Sequence, residues 1–202
     1  MAADSPEEAV EAFLDRIRAT LGCVTNATAY ASHVALGRIQ SVTLHAVGQR
    51  EPGRIRLSSH GGHGELILRF ALSFATEQHR ATERGPFQVA TASYHYRILD
   101  YREDEIVVYH WHPTGKSPVK TPHLHVSAAD SIVLQQRIGS RLATRKTHLG
   151  RLHFPTRHIL LEDIVELLIR EFRVDPLRAD WEAVLRDNRE ARRRCSDAWD
   201  PD

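Results

Sequence analysis

Two runs of the same pattern, histidine–apolar–histidine, do most to restrict how this chain can fold. His110-Trp111-His112 closes one strand-like segment and His123-Leu124-His125 opens another, with Pro113 to Pro122 between them. In extended backbone successive side chains point to opposite faces, so the two histidines of each run share a face. The four imidazoles meet only if the segments lie side by side as antiparallel strands. The intervening loop predicts a hairpin that sets His112 opposite His123 and His110 opposite His125. Opposed Cβ atoms in such a pair lie ~5 Å apart. The preceding run, Tyr94-His95-Tyr96-Arg97, adds a fifth histidine and an arginine.

The rest of the chain frames this hairpin. Ser5-Pro6-Glu7-Glu8 is a helix start, with Ser5 as cap and Glu8 completing a capping box. Val10, Phe13, Leu14, Ile17 and Leu21 follow helical spacing and Gly22 ends the run. Residues 23–36 read as irregular or a short helix. Strands are expected at 39–47, 54–58, 65–75, 88–101, 105–112 and 123–127, with 76–86 a polar loop. His60-Gly61-Gly62-His63-Gly64 follows no P-loop pattern and reads as a turn. Residues 129–146 form a candidate helix. Leu160, Ile164, Val165, Leu168 and Phe172 mark an amphipathic helix whose solvated face holds Asp163 and Glu166. A last helix is expected from Asp175-Pro176, with residues 196–202 a disordered tail. Strands in the middle and helices at both ends predict a single α+β domain over 1–195. It is built on a largely antiparallel sheet of about five to six strands, flanked by an N-terminal helix and two C-terminal helices.

Charge is unevenly spread. Lys116, Lys120, Arg137, Arg141, Arg145, Lys146, Arg151 and Arg157 face Asp130 alone within 106–161, a net charge of +7, and both flanks are negative. Seven of the thirteen histidines lie in the same block. Such asymmetry predicts an anionic partner, nucleic acid and RNA first. No apolar run reaches the ~18 residues a membrane span needs. The acidic N-terminus has no apolar signal core, and Cys23 and Cys195 show no metal spacing, so a cytoplasmic setting is expected.

The histidines admit three readings. The first is metal-independent RNA cleavage. One imidazole among His95, His110, His112, His123 and His125 accepts the 2′-hydroxyl proton and another protonates the leaving oxygen. Arg97, Lys116 or Lys120 would stabilise the charged phosphorane. The basic block would hold the backbone, and Tyr109 and Trp111 would stack a base. The second is a divalent transition-metal site built from His110, His112, His123 and His125. Its His-x-His spacing resembles that of cupins, although no glutamate follows His125 at the cupin interval. The third is non-catalytic: a nucleic-acid- or partner-binding module. In that case the pairs are surface positions of a strand whose core face is Val107, Tyr109, Trp111, Leu124 and Val126.

Tyr94-His95-Tyr96, Val108-Tyr109-His110 and Pro122-His123-Leu124-His125, followed by a helix, resemble the TumE-like toxins of bacterial toxin–antitoxin systems. The resemblance covers about residues 90–130. The chain departs from it in having Val108-Tyr109-His110-Trp111 where an Arg-Tyr-Asp-Asn-type run is expected. What the resemblance implies is a toxin paired with a cognate antitoxin.

Overall fold

The computed structural model describes residues 3–32, 38–45, 53–60, 65–82, 85–114, 118–126 and 153–196. Helix α1 spans Pro6–Leu21. The strands are β1 Thr28–Ala31, β2 Ile39–His45, β3 Arg54–Ser58, β4 Glu65–Thr82, β5 Gly85–Leu99, β6 Glu105–Trp111, β7 His123–Val126 and β8 Phe154–Pro155. Helices α2, Leu161–Arg170, and α3, Trp181–Ser196, complete the described elements. All neighbouring strands are antiparallel, in the order β1-β2-β4-β5-β6-β7-β8, with β3 pairing the first part of β4. This is the expected α+β class with a longer sheet.

Helix α1 starts as its sequence dictates. Ser5 accepts the Glu8 N–H at 3.2 Å, while the Glu8 carboxylate accepts the N–H of Asp4, one residue before the cap. Its apolar stripe, Val10, Phe13, Leu14, Ile17 and Leu21, is buried against the sheet, with Phe13 and Phe74 rings 5.0 Å apart. Leu68, Phe70, Leu72 and Phe74 of β4 alternate onto that face, as do Tyr94, Tyr96 and Ile98 of β5. Helices α2 and α3 pack on it too, through Leu161, Ile164, Val165, Leu168 and Leu185. Tyr94 Oη accepts the Ile159 N–H at 3.1 Å and ties the approach to α2 onto the sheet.

Four expectations are corrected. Residues 28–31 are strand: β1 is extended by its ladder to β2, which short residues such as Ala29 and Ala31 do not announce. Residues 76–82 and 85–86 are strand rather than loop, because β4 and β5 stay paired past Thr76↔Val89 and Glu77↔Gln88 to Thr82↔Gly85. The last helix begins at Trp181, not at Asp175. Asp175 N–H donates to Ser58 O and Leu177 N–H to Cys23 O, so these amides are committed elsewhere. Asp163 and Glu166 are not a solvated face: Arg189 reaches both from α3. The candidate helix at 129–146 and the tail from 197 lie outside the described residues. Among the described residues no helix is long and apolar enough to cross a membrane.

Candidate metal centre

The face of the sheet away from the helices carries the histidines. Register is read from the ladders: His95↔His110 between β5 and β6, His110↔His123 and Val108↔His125 between β6 and β7. The expected hairpin forms, with all four histidines of the two runs on one side. Its register lies two residues from the expected one, so His110 rather than His112 faces His123. A two-residue shift preserves the face because side chains alternate with period two. Tyr109 opposite Leu124 and Val107 opposite Val126 keep the apolar positions on the core side. A connection this long leaves register to that packing, since only short turns dictate it.

A further histidine joins from an element the sequence did not single out. Strand β8 pairs Pro155 with His123 and Phe154 with Leu124, and Thr156 N–H donates to Pro122 O at 3.0 Å. Continuing that register sets His153 opposite His125 on the histidine face. The signal was present in His153-Phe154-Pro155, an isolated histidine beside a short edge-strand pattern. Its partner strand lies far back in sequence, and no turn announces the pairing.

The imidazoles converge. One ligand nitrogen from each of His110, His123, His125 and His153 lies within 4.8 Å of the others. His110 Nε2 and His125 Nε2 are 2.9 Å apart, close enough to share one proton. Ring centroids stand 4.0 Å apart for His110–His123, 4.6 Å for His123–His153 and 4.4 Å for His125–His153. Four nitrogens placed tetrahedrally around zinc would be about 3.3 Å apart, given metal–nitrogen bonds of about 2.0–2.1 Å. The observed spacings bracket that value.

His123 is the most informative member. It is 2% exposed, which corrects the expectation that all four histidines are accessible. Its Nδ1 stands 2.7 Å from the Thr121 carbonyl oxygen. A carbonyl only accepts, so Nδ1 carries the proton and Nε2 keeps its lone pair. That Nε2 is buried and has no hydrogen-bond partner. An imidazole oriented by a backbone carbonyl at one nitrogen, with the other bare, is how metal-binding histidines are held. Buried polar atoms are usually satisfied; atoms of Thr76, Thr156, Glu162 and Arg192 are also buried without a hydrogen bond, but among these His123 Nε2 is the one that joins a group of converging imidazole nitrogens.

Electrostatics favour neutral rings. Burial, then the neighbouring histidines, pushes His110 down to about 3. Burial and the Arg97 charge push His95 down to about 4. His153 is lowered from the ordinary value, by burial first and then by His125 and His123. At neutral pH these three offer lone pairs rather than protons.

The other candidates fall into place around this group. His95 and His112 lie beside His110, at ring distances of 5.4 Å each, and 6.0 Å from one another, outside the four-nitrogen group. Arg97 shares the face and meets Glu105 at 3.5 Å. Tyr109 and Trp111 do not share the histidine face. They point to the core side, and Trp111 is 6% exposed with its ring against Tyr94 and His158. Lys120 is exposed, and Arg157 leans towards Asp163 at 3.8 Å. Lys116, Arg137, Arg141, Arg145, Lys146 and Arg151 lie outside the described residues. The histidine face is not bare: Ile67, Leu99 and Val108 are buried on it. Comparison with family models, with curated proteins and with solved structures gives no match to this chain.

Proposed function

We propose that this chain is a metal-dependent hydrolase of phosphodiesters, RNA being the first to test, with a divalent transition metal held by His110, His123, His125 and His153. The observation that carries the reading is the bare, buried Nε2 of His123, aimed into three other imidazole nitrogens and fixed in its tautomer by the Thr121 carbonyl. Nitrogen ligands without carboxylate or thiolate suit zinc, copper and nickel. When bound, such a metal polarises a phosphoryl oxygen and lowers the pKa of a coordinated water.

Three ligands stand on paired strands. His153 is exposed and sits just before a two-residue edge strand, so it is the ligand whose position can open to substrate. An open or exchangeable position distinguishes catalytic from purely structural zinc sites. Metal-free acid–base cleavage needs one protonated imidazole beside a neutral one. His110 and His95, held at about 3 and about 4, supply bases but no acid at neutral pH. The +7 charge of 106–161 supports an anionic polymer as substrate. The resemblance to TumE-like toxins supports a setting in the cytoplasm as a toxin paired with an antitoxin.

The test begins with exhaustive chelation and elemental analysis. Zinc, cobalt, nickel and copper are then titrated back, and RNA cleavage is assayed at each stage. One equivalent of metal should bind, cleavage should vanish in the metal-free protein and return with metal, and His123→Ala should bind none. Cleavage that persists without metal and follows a bell-shaped pH profile would instead establish acid–base chemistry.

A further inference from the structure

The cross-strand rows of the histidine face run on beyond the metal ligands. One row is Ala71, His95, His110, His123 across β4, β5, β6 and β7. The next is Arg54, Arg69, Arg97, Val108, His125 across β3 to β7. A line of three arginines therefore leads into the centre, and Arg97 ends it. His110 is the diagonal cross-strand neighbour of Arg97. Diagonal neighbours have Cα atoms roughly 7–8 Å apart, within reach of a long side chain.

The three arginines are not equivalent. Arg54 and Arg69 each bond a different oxygen of Glu103 at 2.6 Å. Arg97 meets Glu105 through one nitrogen at 3.5 Å, beyond the ~2.7–2.9 Å of a charge-assisted hydrogen bond. Its side chain keeps 32% of its surface exposed. Beside it, opposite His95, stands Ala71, exposed and too short to cover the approach. Four neutral imidazoles would leave the metal's double positive charge uncompensated. The acidic groups described nearest on this face, Glu103 and Glu105, are already turned towards arginines. Metal and guanidinium together make a dicationic and a monocationic pole on one face, and such a pair selects an anion.

We propose that the group bound at this centre is the phosphoryl group of a phosphate ester, one non-bridging oxygen on the metal and the other, with an ester oxygen, on the Arg97 guanidinium, an inference that rests on the metal reading above. The guanidinium fork takes two oxygens in parallel. A carboxylate that gives both oxygens to the fork has none left for the metal, whereas a phosphodiester that gives one non-bridging and one ester oxygen keeps its second non-bridging oxygen for the metal. Arg97 is thereby a specificity-determining residue rather than a metal ligand.

The experiment uses cobalt-loaded and zinc-loaded full chain and reads calorimetric binding of inorganic phosphate and of acetate, with metal content measured before and after. Phosphate should bind the loaded protein and shift the visible cobalt spectrum, and acetate should bind more weakly. Arg97→Gln should weaken phosphate about tenfold or more, the loss of a charged hydrogen-bond pair, and leave metal stoichiometry and acetate binding unchanged. Arg97→Lys, which keeps the charge but not the fork, should fall between. Arg178→Gln, on the helical side, is the control and should change nothing. Unchanged phosphate affinity in Arg97→Gln overturns the bridge, as does equal affinity for acetate or for phosphate in metal-free protein; the metal reading survives all three. A chain that takes up no metal overturns both.

Discussion

Two polar clusters sit on opposite faces of one sheet and solve the burial of polar groups in opposite ways. On the helical side Glu162, 0% exposed, accepts the Thr20 hydroxyl at 3.1 Å and faces Arg192 at 3.8 Å. Asp163 accepts the Leu160 N–H at 3.0 Å and Arg189 Nε at 2.9 Å, and Glu166 accepts from Arg189 and Arg170. Asn188 donates to Thr20 at 3.0 Å. Every carboxylate there faces an arginine of opposite charge, although Glu162 Oε2 and Arg192 Nε and Nη2 are buried without a hydrogen bond. On the other side His110 Nε2 meets His125 Nε2, His123 Nδ1 meets the Thr121 carbonyl, and burial first, then the neighbouring histidines, keep His110 neutral. A cluster closed by charge pairing welds helices together. One left with converging lone pairs has the donor set of the metal centre proposed above.

The largest effect expected from separating the two is loss of metal in His123→Ala or His110→Ala. Affinity should fall on the order of 100-fold or more, since even outer-shell partners of metal ligands are worth 10–100-fold. Metal titration with circular dichroism checks it, and retained affinity in a folded variant would erase the distinction drawn above.

Next comes Glu162→Ala, which leaves the half-buried Arg192 without its carboxylate. Removing one partner of a buried pair costs about 3–5 kcal/mol. Denaturant unfolding should show that loss while metal stoichiometry stays as in the unmodified chain. A cost below about 1 kcal/mol would mean that the pair is solvated after all.

The clusters should also titrate in different windows. His110 and His95 are held at about 3 and about 4, below the ordinary 6.5, so the unfolded chain binds protons that the folded chain refuses. Stability of the metal-free protein therefore rises with pH between these values, and is lost as pH falls from about 6.5 towards 4 and 3. Burial opposes the ionised form of Glu166, but hydrogen bonds from Arg170 and Arg189 outweigh it and hold the carboxyl below 4.5. Its contribution is lost only at lower pH. Unfolding measured from pH 7.5 to 5 should lose a clear share of its slope in His110→Gln, with His95 and His158, both held at about 4, supplying part of the rest, and keep its full slope in Glu166→Gln. The reverse pattern would assign the pH sensitivity to the helices.

The smallest expected effect is Thr20→Val, which removes one hydroxyl that serves both Glu162 and Asn188. It should cost about 1–3 kcal/mol in the same unfolding assay. An unchanged midpoint would show that neither neighbour depends on it.

The sequence determined what local periodicity and parity can carry. The cap at Ser5, the apolar stripe of α1 and the buried face of α2 follow from spacing alone, because helical and strand periods place side chains before any partner is known. The same rule put His110 and His112 together, and His123 and His125 together, so a two-residue change of register left the histidine face intact. Tertiary structure decided the rest. It chose His110 as the partner of His123, because packing of Tyr109 on Leu124 outranks a long loop. It brought His153 to the site through a two-residue edge strand with no local signal of its own. It turned Asp163 and Glu166 inward, because Arg189 approaches from a helix the local pattern cannot see. Which nitrogen of His123 stays bare was decided last, by the Thr121 carbonyl. A lone pair is directed by its neighbours in space, and those are set only when the chain has folded.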